Sequence, residues 1–159
     1  MTIEIGNNPI LCLVTNRNRT SKRDLGSIVN DAIAGGVNMV QFRDRDMEGP
    51  EKLEMAIILR DLTKDKAIFM VNGDVDLAIE VVADGIHFPE DQNLDINHQN
   101  LKENFIIGRS VHSFESAVKA ASEGMDYLTV GTIFPSNSHP NGEVSGTEII
   151  ERINNSISI

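Results

Sequence analysis

The 159-residue chain is 40% apolar and 24% charged, which suits a globular domain with a real core. Its formal net charge is −10, from 24 acidic and 14 basic residues, so no general attraction to nucleic acid or anionic lipid is expected. The one cysteine, Cys12, excludes a disulfide or a cysteine zinc site within the chain.

The first eight residues are polar and acidic, unlike a secretory signal, and no apolar run approaches the ~20 residues of a membrane span. A cytoplasmic protein with no membrane or nucleic-acid partner is expected. From residue 10 onward, short apolar runs alternate with amphipathic stretches. Residues 10–14 form the first strand, with Cys12 as a small buried hydrophobe. Residues 27–34 form a helix closed by Gly35-Gly36, and 39–42 a second strand. A helix over 50–61 opens on Pro50 and carries Leu53, Met55, Ile57, Ile58 and Leu59. There follow a strand over 67–71, a short helix over 75–82, a strand over 85–88 and a weak helix over 98–103. A strand over 105–111 precedes a helix capped by Ser113 and running through Ala121. A strand over 127–133 and a helix over 146–153 complete six strand-helix units.

The strands lack polar alternation, as strands buried on both faces do. Strict β-α alternation predicts a parallel sheet, either doubly wound or a (β/α) barrel. Polar residues end nearly every strand: Asn16; Gln41, Arg43 and Arg45; Asn72; His87; Ser110 and His112; Gly131-Thr132. A barrel needs this, because all its βα loops face one site, whereas a doubly wound sheet concentrates its site at one switch point. The fold expected is therefore α/β, a TIM-type barrel with six of eight units and strands in sequential order, forming one domain over 1–159.

The motifs resemble the thiamine phosphate synthase/TenI superfamily. Leu13-Val14-Thr15-Asn16 is similar to its first strand, and Gln41-Phe42-Arg43-Asp44-Arg45 to its Q-x-R-x-K second-strand motif. Asn72-Gly73-Asp74 through Leu77-Ala78 is similar to N-D-x-x-x-L-A, and Ala83-Asp84-Gly85-Ile86-His87 to A-D-G-x-H. Gly108-Arg109-Ser110-Val111-His112-Ser113 is similar to G-x-S-x-H-[ST], and Asp126-Tyr127 through Phe134 to D-Y-x-x-x-G-x-x-[FY]. Order and spacing hold over nearly the whole chain.

Within that superfamily the synthases place a magnesium-binding Asp where this chain has Gly73. They place Lys where it has Arg45 and His139, and a second metal carboxylate near Glu90-Asp91. TenI-type thiazole tautomerases show R-x-R, N-G and G-R-S-V-H-S, all present here. The resemblance thus implies thiamine biosynthesis, with a tautomerase acting on a phosphorylated thiazole carboxylate as the main expectation. The alternative is a thiamine phosphate synthase joining hydroxymethylpyrimidine pyrophosphate to thiazole phosphate. A further alternative is a non-catalytic binding protein or inactive fragment.

For the tautomerase, the imidazole of His112 suits proton transfer. Arg43 and Arg45 would hold an anion, and Gln41, Asn72 and Ser110 would bind the heterocycle. Gly131 would allow close approach of the substrate. His87 reads as structural. No cofactor is expected, and magnesium only for the synthase, through Asp74 and Asp91. Barrels of this type have eight strands, and residues 155–159 read as the start of a seventh. Self-association, or a partner supplying the remaining strands, is therefore expected.

Overall fold

The computed structural model describes residues 9–44, 46–93, 101–135 and 144–159. Six strands alternate with helices: β1 Cys12–Val14, α1 Leu25–Ala34, β2 Met39–Phe42, α2 Gly49–Thr63, β3 Ile68–Asn72, α3 Val75–Glu80, β4 Gly85–Phe88, β5 Ile106–Val111, α4 Phe114–Ser122, β6 Tyr127–Val130 and α5 Glu148–Ser156. All five pairings are parallel and the order is β1-β2-β3-β4-β5-β6, a sheet curled like half a barrel. Among the described residues no helix is long and apolar enough to cross a membrane.

The two faces of the sheet have different work. Val40, Phe42, Phe69, Val71, Ile86, Phe88, Ile107 and Val111 pack outward against the helices, meeting Val29, Ala56, Leu59, Ala78, Ala117 and Ala120 in one cluster. The alternate residues face the concave side, where Met39, Ile68 and Met70 form a second cluster with Ile106 and Tyr127. Burial on both faces holds for β2, β3 and β4.

It fails at the rims. β1 is shorter than 10–14, with Ile10, Leu11 and Val14 exposed, and Cys12 is exposed rather than buried. β6 stops at Val130 and is only half-buried. Each of these strands has a neighbour on one side only among the described residues, which leaves Cys12, Val14 and Thr129 on the concave side exposed.

Helix starts follow their caps. Asp24 accepts from Ser27 N at 2.8 Å, which moves the start of α1 ahead of Ser27. Ser113 and Ser116 form a reciprocal capping box on α4. Gly146, at φ +66°, lies before α5 rather than in it. The expected seventh strand at 155–159 is not formed. Asn155 and Ser156 finish α5, whose last turn is closed by Ile157 N donating to Ile153 O at 2.9 Å. Of the helix expected over 98–103, residues 98–100 lie outside the described residues, and Leu101 and Lys102 are helical.

One device recurs just before β2, β4 and β6. Asn38, Asp84 and Asp126 each accept, through a side-chain oxygen, a backbone N–H at the start of the preceding strand. The donors are Leu11 at 2.7 Å, Phe69 at 2.8 Å and Ile107 at 2.7 Å. Each also donates its own N–H to that same residue's carbonyl, at 3.2, 2.9 and 2.7 Å. Arg60 Nη1 adds a 2.8 Å ion pair to Asp84.

Asp84→Ala removes both partners, leaving the Phe69 N–H unpaired in a largely buried place. It should lower unfolding free energy by roughly 1–3 kcal/mol in urea denaturation. Asp84→Asn, whose amide oxygen still accepts from Phe69, should lose less.

Candidate functional site

The C-terminal ends of the strands converge on one cleft of about 560 Å³ on the concave side. Its lining includes Gln41 from β2, Arg43 just after it, Asn72 from β3, His87 from β4, Ser110 from β5 and His112 just after it. Five of the expected site residues therefore meet in one place. Gly131 is not in the lining but touches it through His112, whose Nδ1 contacts the Gly131 carbonyl. Arg45 and His139 lie outside the described residues.

Register explains the convergence. Asn72 pairs with His87, His87 with Gly108, and Gly108 with Tyr127, forming one row across the concave face. Gly108 has no side chain, and a Cβ there would lie 2.1 Å from the Tyr127 ring. The phenol occupies that space and reaches His87. His87 Nδ1 meets the Tyr127 hydroxyl at 2.9 Å, and Nε2 meets Ser110 Oγ at 2.8 Å.

His87, expected to be structural, is 4% exposed and also lines the cleft. Burial, aided by the Arg43 charge, lowers its pKa from 6.5 to about 4. Burial also pushes the Tyr127 phenol well above its usual range, and Cys12 adds to this. Asn72 Nδ2 donates to the His87 carbonyl at 2.9 Å, tying β3 to β4 at the cleft floor.

Arg43 is anchored by its backbone: its N–H donates to Thr15 Oγ1 at 2.9 Å, while that hydroxyl donates to Asp44 at 3.2 Å. Asp44, 6% exposed, also accepts from Arg17 N at 2.9 Å. Gln41 is 6% exposed, and its Nε2 is a buried donor with no hydrogen-bond partner among the described residues. Such a donor beside a cleft suits an acceptor on a bound molecule.

The pairing of Glu90, read only as part of a metal-carboxylate segment, with His112 was not foreseen. Glu90 accepts from His112 N at 2.9 Å and sits 3.9 Å from His112 Nε2. Burial pushes its carboxyl up, but the Ser116 hydroxyl, the His112 N–H and the charges of His112 and Arg109 hold it below its ordinary value. Arg109, on the opposite face of β5, donates to the carbonyls of Glu90 and Gln92, both at 2.8 Å, and so fixes this loop. Two signals for these contacts were present: the strand alternation that puts His87 on one face with the expected Ser110, and the placement of Glu90 and Asp91 just after β4.

A carboxylate-held magnesium ion does not fit these donors. Gly73 offers none, and a Cβ there would fall 2.8 Å from Gln92 Oε1, at φ +71°. Asp74 is committed elsewhere. Its Oδ1 caps α3 through Leu77 N at 3.0 Å, and its Oδ2 pairs with Lys52 at 2.6 Å. Burial raises the Asp74 pKa, but these contacts outweigh it and hold the carboxyl low. Asp91 lines the cleft. Among the described residues no group of three or more His, Cys, Asp or Glu is placed to hold a metal.

Residues 11–159 match the family described as Thiamine monophosphate synthase. A protein of Aquifex aeolicus named putative thiamine-phosphate synthase 2 is 34% identical over 152 residues, covering 95% of this chain and 81% of the relative. The thiamine-phosphate synthase of Clostridium tetani is 36% identical over 151 residues, covering 94% and 72%. A solved structure of a thiamine phosphate pyrophosphorylase from Pyrococcus furiosus superposes with a TM-score of 0.80 at 32% identity, covering 93% of this chain and 71% of that one.

The lowered His87 pKa makes stability depend on pH. Between about 6.5 and about 4 the unfolded chain binds a proton that the folded chain refuses. Stability is full above this window and falls through it, by on the order of 3 kcal/mol at the lower end. Thermal melts from pH 7 to pH 4 should drop more steeply for the unaltered chain than for His87→Gln, which has no imidazole to protonate. Parallel slopes would show that His87 titrates alike in both states.

Proposed function

This chain belongs to the thiamine monophosphate synthase family, and from that premise we propose that it is a transferase joining a pyrimidine pyrophosphate to a thiazole phosphate. The family places it in thiamine biosynthesis. The observation that carries the transferase reading is the meeting of Gln41, Arg43, Asn72, Ser110 and His112 in one cleft, in a chain whose relatives are named thiamine-phosphate synthases. Those names favour the transferase over the tautomerase expected from the sequence.

The reaction breaks the carbon–oxygen bond to pyrophosphate and forms a carbon–nitrogen bond to the thiazole. Negative charge grows on the leaving group, and the ring it leaves becomes cationic. Arg43 supplies positive charge at the cleft edge and suits an anionic oxygen pair. Gln41 Nε2, unpaired among the described residues, and the Ser110 hydroxyl would orient a heterocycle through its acceptors. Strands β2 to β5 hold these groups on rigid backbone, as positioning requires.

A second reading, the thiazole tautomerase, is favoured by Gly73 and by the commitment of Asp74 to α3 and Lys52. Proton transfer needs no leaving-group charge to be neutralised. The Gly131 carbonyl accepts only, so Nδ1 of His112 carries a hydrogen and a neutral ring keeps its lone pair on Nε2. That atom would take and return the proton, with Glu90 beside it.

The full chain, given hydroxymethylpyrimidine pyrophosphate and thiazole phosphate, should form thiamine phosphate and release pyrophosphate. Arg43→Ala should raise the KM for the pyrophosphate substrate by roughly tenfold or more. If no thiamine phosphate forms, but the phosphorylated thiazole carboxylate isomerises and His112→Asn slows this by ~10²–10⁴, the tautomerase reading replaces it.

A further inference from the structure

The Tyr127–His87–Ser110 chain is continuous, centred on a buried imidazole and not explained by either reaction. We propose that Tyr127 and His87 are positioning residues whose hydrogen-bond polarity makes Ser110 a donor toward the cleft.

Among the described residues, the hydrogen-bond partner of the Tyr127 hydroxyl is His87 Nδ1, at 2.9 Å. Burial keeps the phenol protonated, so it has one hydrogen to place. If Nδ1 also carried hydrogen, the phenol O–H would have no acceptor there, and an unmade buried donor costs roughly 1–3 kcal/mol. The phenol therefore donates to Nδ1. His87 is neutral at ordinary pH, since burial and Arg43 disfavour its cation, so its single hydrogen is on Nε2. Nε2–H donates to Ser110 Oγ at 2.8 Å. The Ser110 oxygen is then engaged as an acceptor, and its own hydrogen is left to point elsewhere. Ser110 lines the cleft, where Gln41 Nε2 is a second donor in need of an acceptor.

The packing supports a built device rather than a chance contact. Gly108 clears the space that the Tyr127 ring fills, and the His87 and Tyr127 rings lie 5.5 Å apart at 31°. The ligand edge recognised by this floor is one bearing hydrogen-bond acceptors. Its part in catalysis rests on the reading that this cleft is the substrate site. The polarity itself does not.

The test therefore reads the polarity directly. Long-range ¹H–¹⁵N correlation spectra of the full chain, labelled at histidine, report which ring nitrogen carries hydrogen at pH 7. The His87 signal is identified by its loss in His87→Gln and, independently, by its persistence in His112→Asn. The expected result is a neutral His87 protonated at Nε2. An Nδ1–H tautomer or an imidazolium overturns the inference, whatever the enzyme assays show. Tyr127→Phe removes the phenol donor and should shift His87 toward the Nδ1–H form. An unchanged tautomer means that Tyr127 only fills space, and also overturns it.

Where thiamine phosphate synthesis is observed, Tyr127→Phe should raise KM for one of the two substrates by roughly 2- to 10-fold, and should have no such effect in a Ser110→Ala background. Equal effects in both backgrounds would show that Tyr127 does not act through Ser110. Absence of turnover in the unaltered chain counts against the proposed reaction, and leaves the spectra to decide the polarity.

Discussion

Register is the constraint on which the rest of this structure depends. In a parallel sheet a slip of one residue carries every side chain to the opposite face. Here that slip would send His87, Ser110 and Gln41 into the helix layer and Phe88, Val111 and Phe42 into the cleft. Asn38, Asp84 and Asp126 oppose it by binding the start of the preceding strand through side chain and backbone together. Each such contact joins strands that are distant along the chain, Asp84 reaching Phe69 and Asp126 reaching Ile107. The device sits at the ends of the strands away from the cleft. Polar groups there hold the frame, while those at the other end are left for chemistry, a division that barrels allow because the two ends of a strand face different loops.

With register set, small residues decide how the concave face fills. A Cβ at Gly85 would lie 2.4 Å from the Ile106 carbonyl and 2.6 Å from Met70 Sδ, so Met70 lies over bare backbone. At Gly108 the same vacancy admits the Tyr127 ring. The lower part of the face is thereby closed by Met39, Ile68, Met70, Ile106 and Tyr127, and the polar row lies above it. This apolar floor is what makes burial of His87 costly to its cation, and hence what keeps the imidazole neutral beside Arg43.

Three acidic residues near the site are spent on structure. Asp44 holds the turn that carries Arg43, Asp74 caps α3, and Glu90 engages His112 N and Ser116. Gly73 allows a left-handed backbone at the end of β3, with Gln92 packed where a side chain would otherwise project. Carboxylates already bound to backbone N–H groups and lysine are poor candidates for a metal shell, which calls for free oxygen ligands.

The sequence by itself determined the order of elements, the parallel topology and most of the residues that meet in the cleft. Those features are local: apolar runs against amphipathic stretches, Pro50 and Ser113 at helix starts, polar residues at strand ends. The motifs of residues 41–43, 72–73 and 108–113 carried the family as well. Tertiary structure alone decided the rest. Cys12 and Val14 read as core but lie exposed, because burial depends on a neighbour that the run cannot specify. Residues 155–159 read as a strand, but Asn155 and Ser156 end α5, whose last turn is closed by Ile157 N donating to Ile153 O. His87 read as structural, and its bond to Tyr127 spans 40 residues and passes over a glycine on the strand between them. No pattern within either segment encodes that contact. It exists only once the register has brought His87, Gly108 and Tyr127 into one row.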